Sequence, residues 1–255
     1  MLVATMAATF ARGDNVLPLH SAAPPGYSFD QPRILTQQRL FGLAHGISLL
    51  AERCFEQPAQ GEDVRHAYAA WQQQQRRTIA LAQEELAHYY FGERAAEARW
   101  PDIVTALGLQ NRLALKSGSS KLMAACATLP QALRRYHNDL AAQFDLQAKL
   151  DRLTVAAATE AQAESCKSIL TDEASSALDA GIDAWRHKYS AELDQARQTV
   201  EQRWQEAQLE GSFDHWLNQA RSRGHHQATA KRCEGLTTWL ATPLADPGAS
   251  FKPKS

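Results

Sequence analysis

Valine and isoleucine are scarce in this 255-residue chain, six of each against forty-five alanines and twenty-nine leucines. Pleated sheet favours β-branched residues, so their scarcity removes strands as a major element and leaves an apolar content of the helix-forming kind. No apolar run approaches the roughly 18 to 20 residues that a bilayer crossing needs, which excludes an integral membrane segment of that type. An excess of one charge is also missing: 27 basic residues are interspersed with 28 acidic ones, for a formal net charge of −1. That balance argues against a nucleic-acid partner, which a basic footprint would mark. There is no Gly-x-Ser-x-Gly, no Walker loop and no Cys-x-x-Cys, so neither a cofactor nor a metal is expected, and no catalytic residue is assigned.

What the chain does have is a stripe. Leu178, Ile182, Trp185, Tyr189, Leu193, Ala196, Val200, Trp204 and Ala207 recur three and four apart through otherwise polar sequence. At about 100° per residue they share an arc of roughly 100°, the pattern of one long amphipathic helix. Proline is absent from Gln131 to Gly211, and Gly181 is the one interior glycine. Asp172–Glu210 is therefore expected to form a rod of roughly 58 Å, which is stable only when its apolar face is covered. The fold class read from these features is all-α: a multi-helix bundle with one long amphipathic helix and little or no β-structure.

Upstream, a first helix is expected from near Asp30, with Pro32 in its opening turn, through Ile34, Leu35, Leu40, Leu43, Ile47 and Leu50 to Cys54. Gly42 and Gly46 lie four apart on it, a spacing that marks close approach of another helix. A second helix is expected from Glu62 to Phe91, burying Val64, Tyr68, Trp71, Ile79, Ala82, Leu86 and Tyr90, with Gln72 to Gln75 as a solvated face. Trp100-Pro101-Asp102 opens a short helix ending near Gly108, Ser117-Gly118-Ser119-Ser120 reads as a loop, and Thr128-Leu129-Pro130 reads as a fresh helix start. Thr154 to Glu164 has little to bury and reads as an exposed arm or connector. Asp214 is placed to cap a short helix after Gly211, and a last helix runs around Cys233 to Leu240. These pieces divide the chain into a leader (1–30), an N-terminal helical domain (31–150), a long helix with returning short helices (151–243) and a disordered tail (244–255).

Cys54, Cys126, Cys166 and Cys233 are an even count at long separations. Four thiols permit three pairings, and the alternative is four reduced, buried side chains. The favoured pairing joins Cys54 to Cys126 and Cys166 to Cys233, because each bond then ties the start of one half of the chain to its end. Cys54 precedes Trp71 by seventeen residues and Cys166 precedes Trp185 by nineteen, an echo that either an internal duplication or chance would produce. At the N-terminus, Leu2 to Ala11 resembles the back half of a secretory signal without its basic start, and Pro24-Pro25-Gly26 continues as a flexible leader. Arg12-Gly13-Asp14 is read as chance. These features point to a periplasmic or secreted location, with a cytoplasmic one as the alternative.

Chemistry-bearing constellations are sparse. Glu85-x-x-His88 has the spacing of half a di-iron site, but its nearest counterpart, Asp63-x-x-His66, lies roughly 33 Å away along one helix. His225-His226 reads as a polar turn, and His45 and His137 read as structural histidines. Two functions of different class are carried forward. The first is an exported, non-catalytic interaction protein of the cell envelope, an adaptor, inhibitor or immunity-type factor. It would bind a protein partner through the aromatic anchors Trp185, Tyr189 and Trp204, or pair with a second copy through the long helix. The second is a helical-bundle enzyme or sensor binding a small ligand or metal near His88 and Tyr90.

Overall fold

Eight α-helices and no strand make up the described part of the computed structural model, residue 19 and residues 21–206 and 212–252. They are α1 (Pro32–Phe55), α2 (Gly61–Phe91), α3 (Trp100–Ala106), α4 (Ser120–Ala132), α5 (Leu140–Lys167), α6 (Asp172–Glu206), α7 (Phe213–Gln227) and α8 (Ala230–Leu240). The apolar run Leu2 to Ala11, the Arg-Gly-Asp triplet, Ala207 and Gly211 lie outside the described residues. Among the described residues no helix is long and apolar enough to cross a membrane.

Local chemistry sets the helix ends. Pro32 opens α1, where a missing N–H costs nothing. Gly92, at φ +55°, stops α2 in a conformation that a side chain would oppose. Ser119, Asp139 and Ser212 accept backbone N–H groups at the starts of α4, α5 and α7. Ser212 thus takes the capping role expected of Asp214, which sits inside the first turn of α7. Pro130 opens no new helix either. It lies in the last turns of α4, which runs on through Leu129 and Ala132.

Several other expectations are corrected. Thr154 to Glu164 is the middle of α5, not an exposed arm: Ala156, Ala157, Thr159, Ala161 and Ala163 are buried there. Their small side chains let other helices come close, and α7 approaches so nearly that a Cβ on Gly224 would overlap the carbonyl of Ala158. The Gly42/Gly46 pair, by contrast, receives no helix: Gly42 faces the Tyr27 hydroxyl and Leu109, and nothing lies within 4 Å of a Cβ at Gly46. Gln75 is buried and accepts the Leu140 N–H at 3.0 Å, so the glutamine run is solvated only up to Gln74. The segment before α1 is tied down by Ala22 N–H to the Tyr90 carbonyl and Gly26 N–H to the Ala106 carbonyl. The stretch expected to be a disordered tail is packed through Lys252, with short 3-10 turns at Pro243–Ala245 and Ala249–Phe251 and with Phe251 edge-on to Phe144. It stays because Ala245 and Phe251 have apolar sites to fill. Helix α5 passes unbroken through residues 150 and 151.

The core repeats one plan twice. Cys54 and Cys126 are bonded, as are Cys166 and Cys233, and the Cα–Cα distance is 5.3 Å in both. Val64, Tyr68, Trp71, Gln75, Ala82 and Leu86 on α2 are buried, and so are Leu178, Ile182, Trp185, Tyr189, Ala196 and Val200 on α6, each 114 residues later. Cys126-x-x-Leu129-x-x-x-Leu133, on α4 and the residue just past its end, is matched by Cys233-x-x-Leu236-x-x-x-Leu240 on α8, again all buried. The Trp71 indole donates to the Asn138 carbonyl at 2.7 Å, and the Trp185 indole donates to the Ala245 carbonyl at 2.7 Å. Each acceptor follows the second cysteine of its half by twelve residues. The cysteine and tryptophan echo in the sequence therefore corresponds to equivalent positions in two three-helix, one-disulfide units, α1–α2–α4 and α5–α6–α8.

Candidate docking groove

The residues offered as partner anchors face inward. Trp185 and Tyr189 are 2% and 6% exposed and pack with Cys166, Cys233, Leu236 and Leu240 of α5 and α8. Trp204, half-buried, lies against Phe213 and Trp216 of α7. The apolar face of α6 is thus covered by its own chain, and these side chains hold the fold together. A stripe of this kind shows that a helix must be covered but carries no mark of which chain covers it.

The histidines are held separately. His45 accepts the Trp100 indole N–H at Nδ1 and faces the Gln110 carbonyl with Nε2, 2.9 Å away. His225 bonds the Ser165 hydroxyl and His226 the Ser222 carbonyl, while Cys233 is locked in its disulfide. Among the described residues no three His, Cys, Asp or Glu side chains converge as metal ligands would.

One concave surface does bring separated parts of the chain together. The start of α1 (Asp30 to Ile34), the last turns of α2 (Leu81 to Tyr89) and the C-terminal turn (Ala249, Ser250, Lys252) enclose a groove of about 660 Å³. Arg33 fastens its walls. Its Nε donates to Glu85 at 2.8 Å, a second guanidinium nitrogen reaches the Phe251 carbonyl, and its plane lies 5.4 Å from the centre of the Phe144 ring. One side chain therefore joins α1, α2, α5 and the C-terminal turn. Glu85, which the sequence left as a possible metal ligand, is engaged by this bridge.

The lining is amphipathic. Ile34, Leu81 and Tyr89 supply apolar surface, and Leu81 is 45% exposed. Phe29, next to Asp30, is 77% exposed. Glu84 and His88 also line a second hollow of about 520 Å³ that runs on past Gly92 and Glu93 to Ala96. Lys252 pairs with Asp246; burial opposes ionisation of that carboxyl, but Lys252 and the Gly248 N–H hold it below the usual range. Both cations of the groove are thus occupied, whereas Glu84 and Asp30 have no ion-pair partner among the described residues.

Tyr90 is not part of this surface. It is buried, its hydroxyl donates to the Gly26 carbonyl at 2.6 Å and accepts from Gln38 at 2.7 Å, and burial pushes its pKa up to about 12. Its neighbour Tyr89 faces the groove. The sequence did hold one signal for this site: Leu81 and Tyr89 stand outside the buried series Ala82, Leu86 and Tyr90, so the second helix has more apolar surface than its core stripe needs. Compared with known proteins, the chain matches no family model, no curated protein and no solved structure, and the reading of the groove rests on its own residues.

Proposed function

We propose that this chain is a non-catalytic interaction protein of an oxidising compartment, periplasmic or extracellular, which holds a protein partner at the groove beside Leu81, Glu84 and Tyr89. The observation that carries the reading is the placement of Leu81: an exposed apolar side chain that lines, with Ile34 and Tyr89, a concave surface whose walls are tied together by Arg33. Contact surfaces gain most from apolar and aromatic side chains presented on a rigid support. Two fully buried disulfides support the compartment, because such bonds persist where thiols are not kept reduced. Adaptor, inhibitor and immunity-type roles all fit a protein that acts by occupying a surface.

A small-ligand sensor is the second reading. Its supporting observation is the groove volume, which falls within the roughly 300 to 1,000 Å³ typical of small-molecule sites. Site-specific photocrosslinking in the native host separates the two. With the photoreactive residue at Leu81 a discrete protein adduct is expected, whereas the same residue at exposed Met123 gives none. Adducts indistinguishable between the two positions would defeat the partner reading.

A further inference from the structure

We infer that the groove receives a basic, apolar segment of its partner polypeptide, one in which a lysine or arginine is flanked by large aliphatic side chains. The inference rests on the partner reading above and adds the chemistry of the segment.

The repeated plan of the molecule supplies the argument. Helices α2 and α6 match in burial at most positions at an offset of 114 residues, outward faces included: Leu81, Glu84 and His88 are exposed, and so are Gln195, Gln198 and Gln202. Glu85 and Tyr89 are partly buried, and so are Thr199 and Arg203. At the same five places one helix therefore carries Leu, Glu, Glu, His and Tyr, and the other carries Gln, Gln, Thr, Gln and Arg. A three-helix unit of this kind folds with a wholly polar set there, so Leu81 is not required by the helix packing, whereas Tyr89 packs edge-on to Tyr90 while lining the groove. A leucine exposed alone needs no explanation, but Leu81 shares one concave surface with Ile34 and Tyr89, and apolar surface gathered in a groove is what a contact site offers.

Charge then selects the occupant. Arg33 is bound to Glu85 and Lys252 to Asp246, while Glu84 and Asp30 line the same groove without a cation. A ligand entering between them meets uncompensated negative charge beside aliphatic and aromatic surface. An acidic segment would add like charge at the mouth, and a purely apolar one would desolvate Glu84 without compensation.

The test uses the full ¹⁵N-labelled, disulfide-bonded protein and two synthetic 18-residue amphipathic peptides, one of leucine and lysine and one of leucine and glutamate, at physiological salt. The leucine–lysine peptide is expected to shift the amide resonances of residues 81–92 and 30–34. Leu81→Gln, which installs the residue standing at the equivalent place in α6, is expected to weaken that binding tenfold or more with thermal stability unchanged. Asp30→Lys combined with Glu84→Lys is expected to transfer the preference to the leucine–glutamate peptide. Groove shifts produced equally by the leucine–glutamate peptide on the unaltered protein overturn the charge inference while leaving the groove as a docking site. Shifts confined to other surfaces, binding indifferent to Leu81→Gln, or no binding by either peptide overturn both.

Discussion

At Gly224, in the last turn of α7, the crossing over α5 leaves no space for a Cβ, whereas Gly46, in the interior of α1, has no atom within 4 Å of where its Cβ would stand. The same substitution should therefore act in opposite directions. Gly224→Ala forces α7 away from the Ala158 backbone and is expected to cost about 1–3 kcal/mol, the range for overpacked sites. Gly46→Ala removes a flexible residue from a helix interior and is expected to add up to about 1 kcal/mol. Urea unfolding of the two variants beside the parent measures both. The contrast also shows what glycine spacing conveys. Gly42 and Gly46 carry the more suggestive pattern, yet the close approach occurs at Gly224, where a lone glycine follows Arg223 in polar sequence.

Among the elements, those with a strong apolar stripe were legible and those built on alanine were not. Leu178 to Trp204 announced α6, and Val64 to Tyr90 announced α2, because large side chains at helical spacing leave few alternatives. The centre of α5 was misread because its buried face is Ala156, Ala163 and similar residues, whose small size looks like a surface until neighbouring helices close on it. The tail was misread because short turns such as Ala249–Phe251 carry no periodicity at all. The cysteine pairing was legible because each bond joins helices within one half, α1 to α4 and α5 to α8. Closing loops with sequence separations of 72 and 67, these bonds should each contribute on the order of 4 kcal/mol through the unfolded chain. Replacing Cys166 and Cys233 together by Ser is accordingly expected to lower unfolding stability by about 2–5 kcal/mol, read from denaturant melts of the variant and the parent. A change under 1 kcal/mol would show that α8 is held by its leucines and not by the bond.

For the whole molecule, alkaline stability draws on two buried phenols whose pKa burial raises, Tyr68 and Tyr90. Burial favours the neutral form of Tyr90 and raises its pKa from 10.0 to about 12. In the unfolded chain the phenol ionises near 10, so this contribution to stability is complete below pH 10 and is lost as pH rises from 10 to about 12. Tyr90→Phe is expected to flatten the fall in stability between those values, measured by urea melts across the alkaline range. A slope equal to that of the parent would assign the loss to other groups. The groove belongs to this scale as well, which is why the sequence concealed it: residues 30–34, 81–89 and 249–252 meet only once both halves and the C-terminal turn are in place. Its individual members were ordinary, and the one histidine singled out near it, His88, sits at its edge beside an unforeseen glutamate.

Because α2 and α6 bury the same positions and differ outward, each serves as a built-in control for the other. Any solvent-facing side chain on one has a counterpart already tolerated by an equivalent scaffold, so outward residues can be exchanged between the two helices as interchangeable parts. Transplanting the Leu81, Glu84 and Tyr89 set onto positions 195, 198 and 203 would ask whether recognition travels with the side chains or needs the C-terminal turn that walls the original.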